Sequence, residues 1–239
     1  MTHHLPKAIL FDMDDTILAY SQNADQSWQA VYERFGDRLS ALSPQAVVQA
    51  IKVSSSEYWS DAERHRVGRL NLDKTRQTIV AGALAQLGID DPSLPLEMAL
   101  FYAVQREAAI QPFPEAIETL RELRRRQVRL ALLTNGDATI QRRRIEKHEL
   151  APYFDCILIE GEFGLGKPDR RVYLYALREL GVKPDEAWMV GDNLEWEVAI
   201  PQELGMFAIW FDFAGTGLPA FSAVHPDRII RSLAELLDE

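Results

Sequence analysis

The chain has 239 residues, 47% hydrophobic and 26% charged, with 26 Lys plus Arg against 36 Asp plus Glu for a net charge of −10. The length fits one large domain or one domain carrying a smaller one, and this ordinary globular composition excludes disorder, collagen-like repeats and disulfide scaffolds. The acidic balance argues against nucleic-acid binding, no apolar run approaches the ~18 residues of a membrane span, and the lone Cys156 fits a reducing compartment.

The expectation is a soluble, cytoplasmic protein with neither nucleic acid nor membrane as a partner. His3 and His4 read as a ragged start rather than a tag. The first apolar run, Ala8–Phe11, is shorter than the ~7–15-residue apolar stretch of a secretion signal. Within Lys7-Ala-Ile-Leu-Phe-Asp12, an apolar run ended abruptly by acids reads as a buried strand. From about Gln22 to Ile110 the pattern turns helical, over Trp28–Phe35, Pro44–Ser54, Leu72–Leu87 and Leu96–Ala109. Ile79, Ala83 and Leu87 recur at helical spacing, and Gly88 with Asp90-Asp91-Pro92 marks a stop.

After Pro112-Phe113-Pro114 helices and strands alternate. Helix Glu115–Arg126 leads to strand Arg129–Thr134, and helix Ala138–His148 to strand Cys156–Glu160. Helix Arg170–Leu180 leads to strand Ala187–Val190, helix Leu194–Leu204 to strand Met206–Phe211, and a final helix spans Asp227–Leu237. Strands as apolar as Leu130-Ala-Leu-Leu133 and Ile157-Leu-Ile159 are expected where helices cover both faces of a parallel sheet. The reading is an α/β, Rossmann-like parallel-sheet core from residues 1–20 and 112–239, with an all-helical insertion over 21–111. Neither internal repeats nor low-complexity segments interrupt it.

Open sheets of this kind hold ligands outside the carboxyl ends of their strands. Those ends carry Asp12-Met-Asp14-Asp15-Thr16, Thr134-Asn135-Gly136, the run Gly161–Pro168 with Lys167, and Gly191-Asp192-Asn193. Each alone is ordinary turn chemistry; four at the same end of their strands point to one crevice. The groups suit phosphoryl transfer. Asp12 and Asp14, two apart, share one face of an extended segment and can divide the work of nucleophile and proton donor. Asp192 adds a third carboxylate, and a hard cation such as Mg²⁺ relieves their repulsion. Lys167 and the Thr134 hydroxyl then balance and orient phosphoryl oxygens. The run Gly161-Glu-Phe-Gly-Leu-Gly166-Lys167-Pro168 nearly matches a nucleotide-binding G-x-x-x-x-G-K-[ST] loop. Pro168, which lacks both the metal-binding hydroxyl and a backbone N–H, excludes that reading.

The set Asp12-x-Asp14-x-Thr16, Thr134, Lys167-Pro168 and Gly191-Asp192 resembles the four motifs of the haloacid dehalogenase (HAD) superfamily, in order across the chain. The helical insertion stands in the place of that superfamily's C1 cap. Leu132-Leu-Thr-Asn-Gly-Asp137 and Met189-Val-Gly-Asp-Asn193 look closest to the phosphatase branch, with its N-acylneuraminate-9-phosphatase-like, phosphoglycolate phosphatase-like and nucleotidase-like members. The resemblance implies that Asp12 attacks phosphorus and becomes an aspartyl-phosphate, while Asp14 protonates the leaving alcohol and then activates water. It implies that Asp12, the Asp14 backbone carbonyl and Asp192 hold Mg²⁺. Thr134 and the Asn135 backbone would bind phosphoryl oxygens, Lys167 would neutralise charge, and Thr16 would brace the loop. Dehalogenases resemble this pattern but lack the second acid, so Asp14 favours phosphate ester hydrolysis. The family often carries an acid, commonly Asp, five positions after the metal-binding aspartate; here that is Glu197, with Glu195 and Asn193 nearby. All three stay outside the expected ligand set, with two readings open: Glu197, one methylene longer than Asp, can still reach the metal's water shell, or these are exposed acids near a helix N-terminus.

By the same resemblance, substrate choice lies in the cap. Arg64, Arg66 and Arg69 in its most basic stretch are read as solvated, Trp28, Tyr58 and Trp59 as helical core, and Arg142-Arg143-Arg144 as a solvated run. Hinges near Leu18–Ser21 and Gln111–Pro114 would let the cap close and exclude water. The expected activity is hydrolysis of a small-molecule phosphomonoester, by a monomer or homodimer. A phosphomutase on the same scaffold and a non-catalytic binding protein of this fold stay open as alternatives.

Overall fold

The computed structural model describes residues 5–39 and 42–238, so His3 and His4 lie outside the described residues. Six strands form one sheet: β1 (Ala8–Phe11), β2 (Arg129–Thr134), β3 (Cys156–Ile159), β4 (Ala187–Gly191), β5 (Phe207–Phe211) and β6 (Arg228–Ile230). Their spatial order is β3-β2-β1-β4-β5-β6, and every pairing is parallel. All four side chains of β1 are fully buried, the expected state of a central strand flanked on both sides. The winding direction reverses between β1 and β4, which opens a crevice at their carboxyl ends.

Two compact units make up the chain, one running to Ala19 and resuming at Gln111, the other Tyr20–Ile110. The second is all helical: α1 (Ala24–Phe35), α2 (Pro44–Ser60), α3 (Ala62–Gly68), α4 (Leu72–Gln86) and α5 (Leu94–Ala109). Ser43 and Pro44 start α2, the Ser43 side chain accepting from the Ala46 N–H at 3.2 Å. Val31, Val47, Ile51, Val80, Leu84 and Met98 build its core, and Trp28 stacks on Tyr102 with centroids 3.9 Å apart. Among the described residues, no helix is long and apolar enough to cross a membrane.

The sheet unit carries α6 (Ala116–Arg125), α7 (Ala138–Lys147), a short α8 (Glu160–Phe163), α9 (Arg170–Leu180) and α10 (Ile200–Glu203). The two crossings out of this unit lie side by side, with the Ala19 N–H donating to the Gln111 carbonyl at 2.8 Å and the Phe113 N–H to the Ile17 carbonyl at 2.9 Å.

Two expectations need correction. The final helix over Asp227–Leu237 is instead β6 followed by a 3-10 turn, Leu233–Leu237. Ile229, Ile230, Leu233 and Leu236 imitate helical spacing, but the open edge of β5 takes the β-branched pair as a strand. Asp227 fixes the register, its Oδ2 accepting from the Ala208 N–H at 2.8 Å, and a Ser232–Glu235 capping box starts the turn. The helix expected over Leu194–Leu204 opens as a π-helical turn, Leu194–Ala199, before α10. Such wide turns gather at functional sites.

Candidate active site

The loop leaving β1 sets the first two carboxylates. Asp12 is held in the sheet's plane, its N–H donating to the Val190 carbonyl at 3.0 Å. Beyond it the chain folds back sharply. The N–H groups of Ile17 and Leu18 both reach the Met13 carbonyl at 2.9 Å, and Asp15 takes a positive φ of 61°. This turn separates the fates of Asp12 and Asp14. Asp12 is 7% exposed, and its Oδ1 accepts from Lys167 Nζ at 2.6 Å while Oδ2 accepts from Thr16 Oγ1 at 3.0 Å. Asp14 faces other partners: its Oδ2 accepts from Gln141 Nε2 at 2.9 Å and Arg144 Nη1 at 2.8 Å, and its Oδ1 is buried without a hydrogen bond.

At the end of β2, Thr134 is buried and its Oγ1 accepts from Gln141 Nε2 at 2.7 Å. Accepting that bond leaves the hydroxyl proton free to be donated elsewhere. Asn135 does more with its side chain than expected: Oδ1 accepts from the Lys167 N–H at 2.8 Å and Nδ2 donates to the Lys167 carbonyl at 2.7 Å. Glu160, after β3, is buried and supports the same turn, accepting from the Gly136 N–H at 3.0 Å.

Lys167 is 1% exposed, with Nζ donating to Asp12 Oδ1 and, at 2.7 Å, to Glu197 Oε1. Burial alone would push its ammonium down, but the Asp12 and Glu197 charges outweigh that and hold it above the ordinary lysine range. Burial pushes the Asp12 carboxyl up, opposed by Lys167. Asp192, after β4, is pushed up to about 9 by burial and then by the charges of Asp12, Glu197 and Asp15. Asp12, Asp14, Asp192 and Glu197 face two cations, Lys167 and Arg144, so ionisation of all four carboxyls would leave an excess of negative charge that a divalent cation would offset. Among the described residues, no three acidic, histidine or cysteine side chains gather into a closed metal cluster. The donor chemistry suits a hard cation that keeps several waters and takes few protein oxygens.

Every residue expected at the site belongs to the sheet unit, and hydrogen bonds or charge interactions link Asp12, Asp14, Thr134, Asn135, Lys167 and Asp192 into one network. Of the two readings left open for Glu197, the exposed acid is excluded. Glu197 is 1% exposed, its Oε2 accepting from the Asn193 N–H at 2.8 Å. Close approach to β4 makes room for it: a Cβ on Gly191 would lie 2.1 Å from Glu197 Cγ, so only glycine fits there. Glu195 is exposed, as read. Arg144 is a second correction, because it is buried and paired rather than solvated, whereas Arg142 pairs with Glu162 at the surface and Arg143 is exposed. Gln141 was not anticipated. Helical spacing held the signal: Gln141, Arg144 and Ile145 share the buried face of α7.

A family model described as haloacid dehalogenase-like hydrolase matches residues 6–205. A phosphoserine phosphatase of Thermus thermophilus is 33% identical over 252 aligned positions, covering 96% of this chain and 97% of that protein. A glyceraldehyde 3-phosphate phosphatase of Methanocaldococcus jannaschii is 26% identical, covering 97% of this chain and 96% of its own. Among solved structures, a putative HAD-hydrolase of Bacillus subtilis, crystallised bound to magnesium, shares the fold with a TM-score of 0.75 at 23% identity, over 98% of this chain and 97% of that one.

Proposed function

The chain belongs to the haloacid dehalogenase-like hydrolase family, and from that premise we propose that it is a Mg²⁺-dependent phosphatase of a small-molecule phosphomonoester, working through an aspartyl-phosphate on Asp12. The observation that carries the reading is the divergent setting of two carboxylates two residues apart. Asp12 is gripped by Lys167 and Thr16, while Asp14 is gripped by Arg144 and Gln141 through one oxygen only. Neighbouring carboxyls with different partners are how a site assigns different roles to identical groups.

In the first step an Asp12 oxygen attacks phosphorus as the ester P–O bond breaks, and Asp14 gives its proton to the departing alcohol oxygen. In the second, Asp14 takes a proton from water as that water attacks phosphorus, releasing phosphate and restoring Asp12. Asp14 Oδ1, which makes no hydrogen bond, is the oxygen we assign to carry the proton. The Thr134 hydroxyl donates to a phosphoryl oxygen. Lys167 holds the Asp12 carboxylate in place and offsets charge. Asp12, Asp192 and the Asp14 backbone carbonyl are the groups that would hold Mg²⁺, which when bound supplies positive charge against the phosphoryl oxygens. Asp14 also sets the reading apart from dehalogenation, where a halide leaves without a proton.

Phosphate release tests this. The panel begins with phosphoserine and glyceraldehyde 3-phosphate, after the similar proteins, and adds sugar, nucleotide and aryl phosphates, each with Mg²⁺ and with EDTA. Release that needs Mg²⁺ and vanishes in Asp12→Asn is expected; an Asp12→Asn protein of near-full activity overturns the mechanism.

A further inference from the structure

Gln141 on α7 is 3% exposed. The Asp137 cap places it, Asp137 Oδ1 accepting from the Ile140 N–H and the Asp137 carbonyl from the Gln141 N–H, each at 3.0 Å. From there the side-chain amide meets four polar groups. Nε2 donates to Thr134 Oγ1 at 2.7 Å, to the Asn135 carbonyl at 2.8 Å and to Asp14 Oδ2 at 2.9 Å, while Oε1 accepts from Arg144 Nη1 at 3.0 Å. Chemistry fixes which way round the amide lies. A guanidinium only donates and a main-chain carbonyl only accepts, so Oε1 faces Arg144 and Nε2 faces Asn135.

An amide nitrogen carries two protons, and here three oxygens compete for them. One oxygen always shares. Asp14 is best able to give up its share, because Arg144 Nη1 supplies Oδ2 with a second donor at 2.8 Å. When Asp14 turns toward substrate, both amide protons stay paired, one on the Asn135 carbonyl and one on Thr134. The bond to Thr134 also sets a direction. A hydroxyl has a single proton, and an oxygen that accepts from Gln141 sends that proton away from the amide.

We propose that Gln141 is a positioning residue for phosphate binding: it orients the Thr134 hydroxyl before substrate arrives, so that a phosphoryl oxygen meets a donor already aimed, and it leaves Asp14 free to move. A donor oriented in advance needs no reorganisation when charge reaches it. The inference rests on the phosphatase reading of the site and deepens it.

The test is calorimetric titration of inorganic phosphate into the full chain with Mg²⁺, arranged as a double-mutant cycle. Gln141→Met should weaken phosphate binding about tenfold, the scale of one hydrogen bond. Gln141→Glu should weaken it further, because a carboxylate draws the hydroxyl proton to itself. In a Thr134→Val background Gln141→Met should cost less than about twofold, and in Thr134→Ser, which keeps the hydroxyl, about tenfold again. On the best ester, Gln141→Met should raise KM more than it lowers kcat.

Phosphate binding of wild-type strength in Gln141→Met, or a tenfold loss that persists in Thr134→Val, would overturn the proposal. Either result beside a wild type that hydrolyses esters sinks this inference alone. The expected cycle beside a wild type that releases phosphate from no ester supports it and sinks the reaction instead. Side-chain amide hydrogen exchange, followed by NMR on the wild type, needs no variant that could fail to fold. The Gln141 Nε2 protons should exchange at least about tenfold more slowly than those of the exposed Gln86. Equal rates would show that the amide is not held, and the proposal would fall.

Discussion

Arg144 on α7 donates from Nη1 to Asp14 Oδ2 at 2.8 Å, joining residues 130 positions apart, and only 3% of the arginine side chain meets water. The same Nη1 also donates to Gln141 Oε1 at 3.0 Å, so the guanidinium steadies the amide whose other end touches Asp14, Thr134 and the Asn135 carbonyl. Both bonds leave one nitrogen, whose two N–H directions are fixed by the guanidinium plane, unlike those of a freely rotating lysine ammonium. Replacing Arg144 with Met should lower kcat by about ten- to a hundredfold with little change in KM, the scale on which groups that orient a functional residue act. Arg144→Lys should recover only part. Steady-state kinetics on the best ester of the panel checks this, and an unchanged kcat in Arg144→Met would remove the arginine from the mechanism.

Asp14→Asn should slow turnover by about 10²- to 10⁴-fold, the range that positioned proton transfer contributes. The loss should shrink for aryl phosphates, whose leaving oxygen needs little help from an acid. Comparing an aryl with an alkyl phosphate in both proteins measures the difference; equal losses on both would argue against Asp14 as the proton donor.

Lys167 stands between two buried carboxylates, and removing one partner of a buried ion pair costs about 3–5 kcal/mol because charge is left uncompensated. Lys167→Met should therefore unfold at markedly lower urea concentration, and adding Glu197→Gln should return part of the loss. Circular dichroism across a urea series shows both. A double variant no more stable than Lys167→Met would mean that Glu197 and Lys167 are not coupled as their geometry indicates.

Asp192 illustrates the opposite sign. Its carboxyl is pushed up to about 9, above its ordinary value, so its ionisation opposes folding when no metal is present. In EDTA, Asp192→Asn should stabilise the protein by about 0.5–2 kcal/mol, as replacing a strained functional group often does. The gap should be small at the acid end of the carboxylate range, where the folded wild type keeps its proton, and widen as pH rises toward 9. Mg²⁺ should raise the melting temperature of the wild type, and Asp192→Asn should lose that rise.

Cys156, at the start of β3, is half-buried, and burial followed by the Glu179 and Asp155 charges pushes its thiol up to about 11. At pH 8 about a thousandth of it is thiolate, the reactive form. Iodoacetamide should label the native chain slowly, gain about tenfold per pH unit toward 10, and label rapidly in urea. Fast labelling at pH 7 would contradict the buried setting.

The strands and the convergence of their ends were readable because a buried parallel strand leaves little choice: Leu130–Leu133 and Ile157–Ile159 are apolar on both faces, and the acids begin where the sheet stops. Residues that act through a helix face were harder. Arg144 sits in a run of three arginines whose members look alike in one dimension, and only the Asp137 cap, which fixes the phase of α7, tells the buried one from its neighbours. Glu197 was obscured by its π-helical turn, because a normal helical phase does not carry that side chain back over Gly191. The C-terminal misreading has a different origin, since whether Ile229 and Ile230 coil or extend depends on a free sheet edge far away in sequence.

The paired bonds between the Asn135 side chain and the Lys167 backbone reproduce, one residue past the last rung between β2 and β3, the give-and-take of a strand ladder. An amide side chain here acts as a surrogate peptide, stitching two loops that would otherwise wander separately. The threonine that would greet a phosphoryl oxygen and the lysine that tethers its attacker are thereby geared together, so that a shift in either loop is felt by the other as a change in alignment rather than absorbed as slack.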